Sequence, residues 1–196
     1  FFGDGRNYGT SIVYSNQNND SGITGMPVAI DTAYLWLKGK TVLMGMPDTI
    51  IEPYDSFRDL LRFHKETNAD LTLGVFPTNI PQRLAPVYMD IKTGTVKSIV
   101  DKPKYPDMYN TWGIAVWSGK FTEMLHEYLL KLYEKSKDKN MEVIMSDIFM
   151  ESINRGYNVR ALFFEKGQYH DIGDINEFIA TRMKIEGSIV RKDKIS

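Results

Sequence analysis

The chain has 196 residues, of which 42% are apolar, 12% aromatic and 25% charged. These are the proportions of an ordinary soluble domain, which excludes collagen-like and low-complexity chains. The 24 basic and 25 acidic residues leave a formal charge of −1, so no global field draws the chain to nucleic acid or to an anionic membrane. The absence of cysteine excludes a disulfide framework, a thiolate zinc site and a thiol nucleophile.

One domain, 1–196, with a substantial core is expected at this length. No run approaches the roughly eighteen apolar residues of a membrane span. The N-terminal Phe-Phe-Gly-Asp-Gly-Arg is not a signal peptide, so a cytoplasmic protein is expected. The chain has no initiator Met and opens in a loop entering a strand, and its natural start is expected to lie upstream.

Along the chain the apolar pattern switches repeatedly between period 2 and period 3.6, which predicts an α/β protein. Thr10 to Ser15 reads as a strand, and the polar stretch from Asn16 to Gly22 as a loop. Pro27 stands where a helix begins; Met26, Ala29, Ile30, Ala33 and Leu37 follow helical spacing, and Gly39 closes the segment. Thr41 to Met46 is an apolar run of buried-strand type, stopped by Pro47. Phe57, Leu60, Leu61 and His64 mark one helix face, and Asp70 to Phe76 is a further strand. This opening third therefore reads β-α-β-α-β, with crossovers long enough for parallel pairing. Val87 to Asp90 and Thr95 to Val100 flank Lys92-Thr-Gly94, a hairpin signature. Thr111 to Trp117 is another strand, and Phe121, Met124, Leu125, Tyr128, Leu129 and Leu132 trace an amphipathic helix. A helix from about Met145 to Arg155 ends at Gly156, and Val159, Ala161 and Phe163 alternate in a late strand. Asp174 and Glu177 have capping-box spacing for a final helix. The expected architecture is one mixed sheet, with helices around it and a β-rich insertion after the third strand.

Ligands of open parallel sheets bind where strand ends meet loops and helix N-termini. Asp48, thrown off the sheet by Pro47, and Asp171, before Gly173, both fall at such junctions. Two readings stand: the carboxylates converge on a hard cation such as Mg²⁺, or each caps the helix that follows. In the loop from Gln17 to Gly25, Gly22 and Gly25 either bring backbone N–H groups to an anion or belong to a surface turn. Asp101 and Lys102 are either a surface ion pair or a phosphate contact. His64 and His126 have structural or solvent roles, and Trp36, Trp112 and Trp117 read as core or pocket walls.

In order along the chain stand Gly3-Asp-Gly-Arg-Asn-Tyr-Gly9, Tyr14-Ser-Asn-Gln17, Gly25 with Ala29, Met46-Pro-Asp48, Asp101-Lys-Pro103, Trp112-Gly113 and Tyr169-His-Asp-Ile-Gly173. This ordered set resembles the sugar-1-phosphate nucleotidyltransferases, with the glucose-1-phosphate thymidylyltransferase type nearest by eye. The resemblance implies a Rossmann-like, mixed and mostly parallel sheet flanked by helices, of the nucleotide-diphospho-sugar transferase type and incomplete at its N-terminus. It implies transfer of a nucleotidyl group from a nucleoside triphosphate to a sugar 1-phosphate, giving NDP-sugar and pyrophosphate. Asp48 and Asp171 would then hold Mg²⁺, Lys102 the sugar phosphate, and Gln17, Gly22 and Gly25 the nucleotide. Ala85, Asp101, Trp112 and Gly113 would line the sugar.

Three departures leave the nucleotide and the sugar open: Pro47 for a glycine, Asp101 for a glutamate, and Leu84-Ala85 where a Tyr-Gly pair is usual. The family's Gly-x-Gly-Thr-Arg-Leu phosphate loop is not in these residues. Either roughly one and a half βα units precede Phe1 or the chain is a truncated relative, and the 196 residues alone are expected to be inactive. A homo-oligomer is also implied, with no nucleic-acid or membrane partner. The alternative is a non-catalytic sugar-nucleotide sensor or regulatory subunit of the same fold. A glycosyltransferase is disfavoured by the lack of an Asp-x-Asp motif.

Overall fold

The computed structural model describes residues 1–17, 22–135 and 141–193, with side chains up to Lys184. In chain order its elements are β1 (Ile23–Thr24), α1 (Met26–Asp31), α2 (Tyr34–Leu37), β2 (Val42–Gly45), β3 (Thr49–Glu52), α3 (Ser56–Glu66) and β4 (Leu71–Pro77). The hairpin strands β5 (Val87–Met89) and β6 (Val96–Ile99) follow, then β7 (Asn110–Trp117) and α4 (Gly119–Lys135). The chain ends with β8 (Met141–Glu142), α5 (Met145–Asn154), β9 (Val159–Phe163), β10 (Gln168–Asp171) and α6 (Ile175–Asp193).

The main sheet has the order β2-β7-β4-β9. β7 is antiparallel to both β2 and β4, and β4 is parallel to β9. All eight residues of β7 are buried, as are the first six of β4, because helices cover both faces. On one face Phe121, Met124, Leu125 and Leu129 of α4 and Ile148 and Phe149 of α5 pack on Leu71, Leu73, Val75, Ala115 and Trp117. On the other, Leu60 of α3 packs with Ile51, Phe76, Ile114 and Val116. Full burial of each large apolar side chain is worth roughly 1.5–3 kcal/mol, so this two-sided core carries the fold.

Several of the polar groups inside are partnered, whereas Ser56 Oγ is buried without a hydrogen bond among the described residues. Trp117 donates its indole N–H to Thr122 Oγ1 at 3.0 Å, and His64 Nδ1 lies 2.8 Å from Thr72 Oγ1. Burial holds the His64 imidazole below its ordinary pKa, which favours the neutral ring. His126 faces Asp31 at 2.9 Å and stacks on Tyr34, tying α4 to the α1–α2 segment. Both histidines are thus structural, and their helical positions predict that role. Asn110 fastens the β5–β6 hairpin to the mouth of β7. Its Oδ1 accepts from the Val87 N–H at 2.7 Å and its Nδ2 donates to the Val87 carbonyl at 3.0 Å.

Four expectations are corrected. Thr10 to Ser15 is not a strand: a strand needs a ladder partner, this segment has none among the described residues, and Val13 and Tyr14 face solvent. The opening β-α-β-α-β does not pair within itself. β2 and β4 run in the same direction, but β7, the longest fully buried run, lies between them. The single helix expected from Met26 to Leu37 is two, separated at Thr32-Ala33, and Trp36 on the one-turn α2 is 66% exposed rather than core. β3 is an additional strand that pairs antiparallel with β10. The loop expected from Asn16 to Gly22 falls partly on residues 18–21, outside the described residues.

Candidate functional site

The strand β2 ends at Gly45 and β4 at Pro77, and the antiparallel β7 begins beside them at Asn110. At this edge lies a cavity of about 220 Å³. Its walls are recruited from seven places in the chain: Met26 of α1, Met46 after β2, Arg83 to Ala85 after β4, Asp101 and Lys102 after β6, Thr111 and Trp112 of β7, Glu142 to Ser146 leading into α5, and Tyr169 of β10. The position follows the general rule for open sheets, in which diverging loops leave a crevice at the strand ends.

Local folding explains how the polar residues reach it. Lys102 takes φ 44°, and its N–H donates to the Leu84 carbonyl at 2.8 Å. Val100 N–H donates to the Pro86 carbonyl, so the two loops are laced together and carry Asp101 and Lys102 over the cavity. Asp101 and Lys102 both line the cavity. Trp112 forms an apolar wall braced edge-on by Phe149 at 5.1 Å. Glu142 follows from the two-residue ladder of β8 with β1.

A second, smaller recess of about 90 Å³ adjoins the first and is lined by Thr78, Ile80, Arg83, Leu84, Tyr169, Asp171, Asp174 and Glu177. Arg83, Leu84 and Tyr169 border both spaces. The β3–β10 ladder sets Asp171 opposite Thr49. Asp48, one residue earlier, accepts the Ile172 N–H on its main-chain carbonyl at 2.8 Å. The two carboxylates therefore converge. A Cβ placed on Gly173 would lie 3.2 Å from Asp171 Oδ1 and 3.3 Å from Asp48 Oδ2, so the glycine keeps open the space between them. Asp171 Oδ1 also accepts the Gly173 N–H at 3.0 Å. Helix capping at the start of α6 falls to Asp174 instead, whose Oδ1 accepts from Asn176 and Glu177. Those two N–H bonds and then Arg83 hold the Asp174 carboxyl below its ordinary pKa.

Two hard carboxylates suit Mg²⁺, which keeps several waters and uses few protein oxygens, so the residues present fit that ion. Among the described residues no group of three or more His, Cys, Asp or Glu is arranged to hold a metal.

The remaining candidates fall outside the cavity. The room above Gly113 is taken by the Tyr169 ring, Ile51 and Phe76, with Tyr169 Cδ2 only 2.7 Å from a built Cβ. Gly25 has φ 111°, and a Cβ there would lie 2.2 Å from the Val143 carbonyl oxygen, so it lets α1 close on the strand leading to α5. Gln17 Nε2 is buried and has no hydrogen-bond partner among the described residues. Gly22 passes its carbonyl to the Met141 N–H. Arg83 and Glu142 carry no spacing signal of their own in the sequence, and Tyr169 stands in the Tyr169-His-Asp-Ile-Gly173 segment without being singled out; tertiary packing brings all three to the cavity. The one local hint is Arg83 beside Leu84-Ala85, two residues after Pro81.

An open mixed sheet flanked by helices, with a crevice at the strand ends, defines a Rossmann-like α/β protein. Residues 1–188 match the family model described as nucleotidyl transferase, and the chain belongs to that family. Similar solved structures share the fold. One is described as a glucose-1-phosphate thymidylyltransferase from Bacillus anthracis in complex with sucrose (17% identity, TM-score 0.74, covering 92% of this chain and 67% of that one). Another is UDP-glucose pyrophosphorylase complexed with UDP-glucose (15%, 0.72, 90% and 66%). The third is apo UDP-glucose pyrophosphorylase (15%, 0.70, 91% and 64%). The chain thus spans about two thirds of each. A search of curated proteins found no match. None of the described helices is long and apolar enough to cross a membrane.

Proposed function

We propose that this chain carries the sugar and metal half of a nucleotidyltransfer site, which joins a nucleoside triphosphate to a sugar 1-phosphate and releases pyrophosphate. The observation that carries the reading is the convergence of Asp48 and Asp171 beside a cavity lined by Asp101, Lys102, Trp112 and Glu142. An apolar wall with a few carboxylates suits a sugar ring and its hydroxyls, and the adjoining cation suits a phosphate.

In this reading Asp101 and Glu142 accept hydrogen bonds from sugar hydroxyls, and Trp112 and Ala85 form the wall. Lys102 binds the sugar phosphate. Gln17, whose amide nitrogen is buried and unpartnered, contacts the nucleotide base, next to Gly22 and Gly25. Asp48 and Asp171 hold Mg²⁺, which when bound supplies neutralisation of the phosphate charge. The sugar-phosphate oxygen forms the new bond to the α-phosphorus, and the bond to pyrophosphate breaks with its electron pair leaving on pyrophosphate. The protein contributes mainly by aligning the two partners. A homo-oligomer working in the cytoplasm belongs to the same reading.

The test is pyrophosphate release by the full-length protein, over a panel of nucleoside triphosphates and sugar 1-phosphates with Mg²⁺. Asp48→Asn and Asp171→Asn should each lower the rate on the order of a hundredfold while the fold is retained. Unchanged rates in both variants would end the two-carboxylate reading. Binding of both substrates without any pyrophosphate release would instead favour the non-catalytic sensor.

A further inference from the structure

Among the described residues, Arg83 is the one charged residue that borders both spaces of the site. It borders both the larger cavity, where Asp101 and Glu142 lie, and the smaller recess, where Asp171 lies. The charged residues lining these spaces are Asp101, Glu142, Asp171, Asp174 and Glu177 on the acidic side, against only Lys102 and Arg83 on the basic side. A phosphate entering this corner meets net repulsion unless a cation turns towards it.

The guanidinium is restrained only lightly. Arg83 Nη2 lies 3.6 Å from Asp174 Oδ2, a loose contact with the arginine side chain 60% exposed. Asp174 does not need that contact for its own role, because its other oxygen already accepts the two N–H groups that cap α6. Separating the pair therefore leaves Asp174 satisfied and Arg83 free. The arginine rises from the short 3-10 turn Pro81–Arg83, whose proline fixes the entry to the turn while the long side chain keeps its freedom.

We propose that Arg83 is the phosphate clamp of the sugar 1-phosphate, and that Asp174 is the latch that holds it aside until the phosphate arrives. The inference rests on the nucleotidyltransfer reading above. It adds a recognition residue and a control on it. A guanidinium presents a planar fork that matches two phosphate oxygens at once, whereas Lys102 offers a single ammonium. A sugar seated against Trp112 and directed at the Asp48–Asp171 corner must carry its phosphate past Arg83.

The two partners should respond in opposite directions, which a merely structural ion pair would not do. Glucose 1-phosphate and glucose serve as probes in calorimetric titrations of the full chain with Mg²⁺. Arg83→Gln is expected to weaken glucose 1-phosphate binding about tenfold to a hundredfold and to leave glucose binding unchanged. Asp174→Asn keeps a good helix cap and releases the arginine, so it should tighten glucose 1-phosphate binding about twofold to fivefold, with the gain shrinking in high salt. Arg83→Lys should fall between wild type and Arg83→Gln. The inference is overturned if Arg83→Gln binds glucose 1-phosphate as wild type does, or if Asp174→Asn weakens binding as Arg83→Gln does. Failure of the wild-type protein to bind any of a panel of sugar 1-phosphates is a different result. It would remove the nucleotidyltransfer reading, and the clamp with it.

Discussion

Replacing Gly113 by alanine tests whether the sheet core sets the geometry of the site. A Cβ at this position would lie 2.7 Å from Tyr169 Cδ2, 3.0 Å from Ile51 Cδ1 and 3.2 Å from Phe76 Cδ2. Ordinary carbon contacts begin at about 3.5 Å, so the tyrosine ring must retreat by about 0.8 Å. Ile51 and Phe76 close the other sides and are buried. The strain therefore passes to the four-pair ladder that β10 makes with β3, and so to the placement of Asp171 beside Asp48. Overpacking of this kind costs about 1–3 kcal/mol, or about 2–12 °C in Tm for a chain of this size. Thermal unfolding with a parallel titration of glucose 1-phosphate measures both effects. Tyr169→Leu in the same chain removes the clashing ring edge and should recover part of the lost stability, giving favourable coupling in a double-mutant cycle. Unchanged Tm and unchanged affinity in Gly113→Ala would refute the idea that this glycine makes room for Tyr169.

Gly173→Ala places a methyl between the two carboxylates, so it should weaken Mg²⁺ binding in a calorimetric titration while Tm changes little. Thr122→Val leaves the buried Trp117 indole N–H without an acceptor and should cost about 1–3 kcal/mol in denaturant unfolding. For His64, burial lowers the pKa from 6.5, so the unfolded chain takes up the proton first as pH falls. Its stability contribution is complete above pH 6.5 and is lost progressively below it. Burial, reinforced by Lys184, lowers His170 in the same sense. The comparison with His64→Gln isolates His64: the fall in Tm between about pH 7.5 and about pH 5.5 should be smaller in the variant. Equal falls would show that His64 does not titrate with unfolding.

Much of the architecture is legible in the chain because it is written locally. The apolar spacing of Phe121, Met124, Leu125 and Leu129 fits a single helix face wherever that helix docks, and the continuous run of β7 demands cover on both sides. The hairpin around Lys92-Thr-Gly94 is equally local. Spatial order is not local, and no pattern within β2 or β4 announces that β7 will separate them. β3 is four residues between Pro47 and Pro53, too short for alternation to register, and its partner lies more than a hundred residues away. The site divides in the same way. Asp101, Lys102, Ala85 and Trp112 do meet around one cavity, and Asp48 and Asp171 do converge. Arg83, Glu142 and Tyr169 complete the walls only because the turn after β4, the short strand β8 and the strand β10 are drawn to the same edge.

The central placing of β7 has a consequence for how the molecule is made. A chain emerging from the ribosome with β2 and β4 already complete still holds two strands that have no common neighbour, since every backbone bond of β2 in the sheet goes to residues 114–117. Collapse of the first half must therefore wait for a segment that arrives much later. The carboxylate corner waits longer still, for residues 168–171. Contacts so distant along the chain make for slow, late-committing folding. The carboxylate corner therefore needs both strands of the β3–β10 ladder, whose partners are separated by more than a hundred residues.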